Sequence, residues 1–151
     1  MGGITLTLKP KEKFLIGGNL IENGPRRTSI RITEGVFVLR VSDALHPDDV
    51  KTPITRAYHV AQLILACEVR EFDGKAELLS RLDQLSAIFA KTVHREAIDN
   101  AIEAAECGRY HRVLIALKGL FPIEAELLKV YASPATNGGD LVEDRRVAAG
   151  R

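Results

Sequence analysis

The sequence predicts an α+β fold: an N-terminal antiparallel β meander or small sandwich, then a helical bundle of about four to five helices, then a disordered tail. Three observations predict it. Residues 1–41 carry the two-residue apolar period of strands, residues 42–132 carry the 3.6-residue period of helices, and residues 133–151 carry neither. The 151 residues are 46% apolar, enough for one compact domain with a real core and no disulfide or metal staples.

The strands come first. "ITLTL" (4–8) alternates Ile4, Leu6 and Leu8 against Thr5 and Thr7, which gives one buried and one wet face. "KFLIG" (13–17) and "NLIEN" (19–23) are short apolar runs meeting at Gly17-Gly18. "TSIRI" (28–32) and "VFVLR" (36–40) are joined across 33–35. Glycine and asparagine punctuate the joins, as tight turns require. Four or five short strands are expected.

After Arg40 the period becomes helical. "SDALHPDDVKTP" (42–53) holds two prolines and reads as a connector with one helical turn. Thr52-Pro53 is a cap followed by a first-turn proline, and it opens a helix over about 53–70 with Ile54, Tyr58, Ala61, Ile64, Leu65 and Val69 on one side. A second helix starts at Asp73-Gly74. Leu78, Leu82, Leu85 and Phe89 recur along it at helical spacing, with Leu79 and Ile88 beside them. A third covers about 94–107 and ends at Gly108. A fourth covers 109–121, and a fifth, opened by Pro122, covers 122–132.

Charge is balanced in sum, 21 Lys+Arg against 20 Asp+Glu, which excludes a uniformly basic nucleic-acid protein. It is not balanced in distribution. Residues 1–40 hold seven cations against three acids, net +4, and residues 41–132 hold 11 against 14, net −3. An anion-binding face is therefore expected in the first forty residues. Cys67 and Cys107, both within helix-like sequence, read as buried thiols of a reducing compartment. No apolar run has the length of a membrane span or of a secretory core, so the expected location is the cytoplasm.

Signatures of catalysis are few. His46, His59, His94 and His111 form no His-x-x-x-His pair, and the cysteines form no Cys-x-x-Cys. The serines form no Gly-x-Ser-x-Gly elbow, and no glycine-rich phosphate loop is present. Asp48-Asp49 follow Pro47 and read as first-turn charges. Neither an enzyme nor a cofactor is expected. The basic residues remain. Lys9, Lys11 and Lys13 alternate, so an extended chain would put them on one side. Arg26 and Arg27 follow a turn-forming Asn-Gly-Pro, Arg31 lies opposite Ile30 and Ile32, and Arg40 ends the last strand. Such a face could neutralise several phosphates. Two other roles are open: lysines that keep edge strands from aggregating, and Arg26 and Arg27 docking the halves through Asp43 or Glu68. Phe14 and Phe37 are expected to pack inward, so the patch lacks aromatics for base stacking.

The chain resembles the FlbT family, small flagellar regulators of alphaproteobacteria, over residues 4 to about 132. The blocks that carry the resemblance are "LTLKPKEKFLIGG", "IENGPRRTSI", "VLRVSDAL", "TPITRAYHVAQL" and "GRYHRVLIALKGLFPIEAELL". Pro47-Asp48 stands where the family often has Pro-Glu. Ile54-Thr55-Arg56 lacks one of two adjacent family cations, and the tail has no family counterpart. The resemblance implies post-transcriptional control of flagellin synthesis through the 5′ untranslated region of flagellin mRNA, with the sign of the effect varying between members. It also implies association with flagellin and with the partner protein FlaF. RNA contact would fall on Lys9, Lys11, Lys13, Arg26, Arg27, Arg31 and Arg40. A second possibility is direct protein binding by the helical half. Short edge strands suggest a homodimer.

Overall fold

The N-terminal strands are β1 (Ile4–Leu8), β2 (Lys13–Ile16), β3 (Asn19–Glu22), β4 (Thr28–Ile32) and β5 (Val38–Arg40). Two 3-10 turns, Val41–Asp43 and Pro47–Asp49, lead to α1 (Pro53–Leu65), α2 (Glu71–Ile88), α3 (Arg95–Glu106), α4 (Tyr110–Lys118) and α5 (Phe121–Ala132). The structure is a computed structural model that describes residues 3–33 and 35–132, with side chains to Glu126; the expected disordered tail lies outside the described residues. The strands and α1–α4 fall in one compact unit, Met1–Lys118, and α5 belongs to a second that begins at Gly119.

The strands pair antiparallel in two small sheets. β1 pairs with β4, from Ile4 opposite Ile32 to Leu8 opposite Thr28. β2 pairs with β3 on one side and β5 on the other. Among the described residues, β2 and β3 are the sequence neighbours that pair in a tight hairpin. Its two loop residues, Gly17 and Gly18, have φ of 58° and 83°, the positive pair that a type I′ turn needs. In the β1–β4 register Thr5, Thr7, Ser29 and Arg31 share one face, and Ile4, Leu6, Ile30 and Ile32 share the other. Leu8, Phe14 and Leu39 are the strand residues that enter the core.

Thr52 caps α1 in a reciprocal box: its hydroxyl accepts from the Thr55 N–H, and the Thr55 hydroxyl accepts from the Thr52 N–H. The expected stripe is buried here (Ile54, Tyr58, Ala61, Ile64, Leu65), as are Leu78, Leu82, Leu85 and Phe89 from the second stripe. α1 packs against α2 and α4, α2 against α3, and α3 against α4. The connector is strapped down by polar bonds. The Leu45 N–H donates to Gln62 Oε1 (2.7 Å), and Tyr58 OH donates to the Asp43 carbonyl. Burial, with Asp43 nearby, pushes the Tyr58 hydroxyl up to about 12.

Two helix boundaries and the burial of both cysteines differ from expectation. α1 stops at Leu65 because Cys67 takes a left-handed φ of 59°. The Glu68 N–H then bonds the Leu63 carbonyl and the Cys67 N–H bonds the Ile64 carbonyl, a Schellman closure normally reserved for glycine. Cys67 and Cys107 are therefore exposed, not buried, since both sit at helix C-termini, where side chains face solvent. α2 begins at Glu71, ahead of Gly74. That glycine is buried inside the helix where α1 crosses, and a Cβ there would lie 2.6 Å from Ile64 Cγ1. Gly74→Ala is expected to lower stability by about 1–2 kcal/mol, because overpacking outweighs a helix-propensity gain of about 1 kcal/mol. Urea unfolding with unchanged m reads this directly, and a rise in stability would show that Ile64 repacks freely.

Candidate nucleic-acid interface

Five of the seven expected cations lie where the two sheets meet. The β1–β4 ladder ends at Leu8 opposite Thr28, and the β2–β3 ladder begins at Lys13 opposite Glu22. Between them, residues 9–12 and 23–27 form facing turns, and hydrogen bonds stitch one to the other. The Lys11 N–H donates to the Gly24 carbonyl (2.9 Å), and the Asn23 N–H donates to the Glu12 carbonyl (2.8 Å). The Asn23 side-chain amide donates to the carbonyls of Lys9 (2.8 Å) and Arg26 (2.9 Å). The Thr28 hydroxyl donates to the Arg26 carbonyl (3.1 Å). An asparagine suits this hub because its short amide reaches backbone groups that no ladder serves.

The turn changes the expected disposition of the lysines. Pro10 and Lys11 form its corner, and Lys11 has a left-handed φ of 62°, so Lys9, Lys11 and Lys13 do not line one extended face. They fan around a corner instead. Arg26 and Arg27 stand on the facing turn, and Arg31 lies on the wet face of the ribbon opposite Thr5. Lys9, Lys11, Lys13, Arg26, Arg27 and Arg31 are all exposed, and among the described residues none forms an ion pair. Docking through Asp43 is not seen: Asp43 pairs with Lys118 at 3.1 Å. Glu22 stands opposite Lys13 in the ladder without closing on it.

Arg40 differs from the other six. Its Nη1 donates to Glu12 Oε2 and its Nη2 to the Thr7 carbonyl (2.9 Å), which ties β5 to the corner and to β1. The Lys9 N–H donates to the other carboxylate oxygen of Glu12 (2.9 Å). The Arg40 hydrogen bond, followed by the Lys9 N–H, holds the Glu12 carboxyl below its ordinary value. The Glu12 side chain is 12% exposed and that of Arg40 27%, so this pair is a shielded clasp beneath the free cations. Sequence reasoning named Arg40 but not its partner. The one available signal was an acid set among three lysines in "KPKEK".

The arrangement is a corner of unneutralised cations on a braced backbone. Among the described residues, no three His, Cys, Asp or Glu side chains converge to hold a metal, and no helix is long and apolar enough to cross a membrane.

The family model described as "Flagellar protein FlbT" matches residues 4–128, a span that contains both turns and four complete helices. The chain belongs to the FlbT family. It is similar to the "Flagellum biosynthesis repressor protein FlbT" of Caulobacter vibrioides (strain ATCC 19089 / CIP 103742 / CB 15), with 30% identity across 91% of this chain and 97% of the relative. FlbT relatives from Chelativorans sp. (strain BNC1) and Brucella abortus (strain S19), each named a probable flagellum biosynthesis repressor protein, are 27% and 26% identical. They match 82% and 83% of this chain, and 84% and 82% of their own lengths. No solved structure matches. The FlbT match includes the braced corner and stops short of the tail.

Proposed function

We propose that this FlbT-family protein regulates flagellum synthesis after transcription, by binding the 5′ untranslated region of flagellin mRNA in the cytoplasm and controlling its translation or lifetime. The relatives' designation as biosynthesis repressors supports the regulatory part. The observation that carries the RNA part is the braced corner, where Lys9, Lys11, Lys13, Arg26 and Arg27 stand exposed, with no ion pair among the described residues, around a backbone fixed by Asn23 and Glu12. The braced backbone spares the cost of ordering the two turns when their cations meet phosphates, and each cation that does so releases a condensed counterion. Arg31 extends this contact along the ribbon, and Arg40 supports it from beneath. The mechanism needs no catalytic group or cofactor.

Photo-crosslinking of the protein to a flagellin leader RNA, with mass-spectrometric mapping of the adducts, tests the assignment. Adducts are expected in residues 9–13 and 23–31. Adducts confined to the helices would contradict it.

Lys11→Gly removes charge and backbone strain at the corner together, and two readouts tell them apart. Glycine adopts a φ of 62° freely, so a left-handed penalty of about 1 kcal/mol is removed along with the charge. Unchanged or raised melting temperature with earlier elution from heparin is expected. Unchanged elution would show that Lys11 does not face the anion.

One observation favours a second reading, in which the helical half binds flagellin or FlaF directly. A cleft of about 190 Å³ with mainly apolar walls runs between Ile4 and Leu6 of β1 and Leu114 and Ile115 of α4. In that case RNA affinity would be absent and a pull-down with flagellin would succeed. A homodimer through the open edges of β3 or β5 is compatible with either reading and is read by light scattering.

A further inference from the structure

We propose that Arg109, His111 and Arg112 form a phosphate-binding cluster at the start of α4, in the helical half and separate from the braced corner. The three side chains line one groove of about 680 Å³ between α3 and α4, together with Asn100, Glu103 and Ile115. All three are exposed, and among the described residues none has an ion pair or a side-chain hydrogen bond. Two free guanidinium groups and an imidazole around one concavity, with an amide donor from Asn100, are the donor set that a phosphate takes up. The N-terminal end of α4 adds the positive end of the helix dipole.

The groups nearby explain why this positive region persists. His111 also lines the two clefts that reach the β1–β4 ribbon, whose other charged lining residues include Glu71 in one and Asp43, Arg40 and Lys118 in the other. Asp43 is taken by Lys118 and Arg40 by Glu12, and Glu71 accepts the Tyr110 hydroxyl at 2.8 Å. Glu103 is left as the acid of the groove, and it closes on neither arginine. Partial burial is the main cause that holds the His111 imidazole below its ordinary value, and Arg112 and Arg109 add to it. The ribbon separates this cluster from the corner: Ile32 and Ile4 line the adjoining cleft, while the corner begins at Thr28, four residues and about 14 Å away along the strand.

A phosphate at this site could belong to an RNA backbone or to a free phosphorylated solute, and the test separates the two. His111 is titrated by NMR with and without inorganic pyrophosphate at constant ionic strength, in the full-length protein and in R109A/R112A. In wild type, pyrophosphate is expected to raise the His111 midpoint by at least about 0.3 pH unit, saturably, because the bound anion favours imidazolium. His46 and His94 should stay unmoved. In R109A/R112A the midpoint should start higher and no longer respond, while R109K/R112K should recover the response and E103Q should tighten it. No wild-type response, or an equal response of all the histidines, overturns the cluster. In the second arm, labelled oligouridine is bound across a salt series. A slope lower by about 1.4 in R109A/R112A assigns the phosphate to RNA. An unchanged slope with an intact pyrophosphate response assigns it to a free solute. If wild type binds no oligouridine but responds to pyrophosphate, the RNA function fails and the cluster stands.

Discussion

The Arg26→Ala/Arg27→Ala variant is expected to lose most of its affinity for flagellin leader RNA while melting at the wild-type temperature. Both side chains are exposed and among the described residues neither forms an ion pair, so their removal deletes charge without opening a contact there. The backbone they stand on is held independently of them, by the Asn23 amide on the Lys9 and Arg26 carbonyls. If each arginine neutralises one phosphate of a single strand, the slope of log K against log salt falls by about 1.4. At 0.1 M salt those two counterions contribute roughly 25-fold in affinity relative to 1 M. A lowered melting temperature with unchanged RNA affinity would instead mean that the pair docks one half of the protein onto the other. Asp43, one of the two acids that could have served such docking, is engaged by Lys118.

The second large effect is structural and falls on Arg40. Arg40→Ala removes the cation of a Glu12 carboxylate that is 12% exposed in the native fold, and removes the guanidinium donor of the Thr7 carbonyl as well. Losing a charge-assisted bond and leaving its partner unpaired costs about 2 kcal/mol, or roughly 5–10 °C in melting temperature for a domain of this size. The pH dependence follows from Glu12. Its folded carboxyl titrates below the ordinary value of 4.5, so the unfolded chain binds the proton more readily. The clasp therefore stabilises fully above about pH 4.5, and its contribution is lost as the pH falls through the lowered folded value. The gap between wild type and Arg40→Ala should be widest at pH 6–7 and shrink towards pH 3. A gap that persists undiminished at pH 3 would place the effect of Arg40 in its bond to Thr7 and not in Glu12. RNA affinity should weaken in this variant too, because the corner that presents the lysines loosens.

Local chemistry was legible in the sequence where it was strong. Thr52-Pro53 opens α1 as its cap chemistry requires, and the Leu78, Leu82, Leu85 stripe is the buried face of α2. Strand positions were legible from alternation, but their partners were not. β1 finds β4 twenty residues later, a choice made by matching apolar faces and not by any turn between them. Lys9, Lys11 and Lys13 fit an extended reading until Lys11 adopts a left-handed conformation, which a propensity reading assigns to glycine or asparagine. Cys67 escaped for the same reason, since it occupies a helix-end position where glycine is usual. The Glu12–Arg40 clasp spans 28 residues and only folding brings it together. The Arg109, His111, Arg112 cluster was hidden by averaging: a helical half with net charge −3 still concentrates cations at the start of one helix.

Direct RNA contact by the corner is read by equilibrium binding. Labelled 5′ untranslated region of flagellin mRNA is titrated with the wild-type protein between 50 and 300 mM salt, beside a shuffled RNA of equal length. Saturable binding that prefers the leader and weakens steeply with salt is expected, because several phosphates are neutralised. Folded wild-type protein that binds neither RNA at 50 mM salt would contradict it.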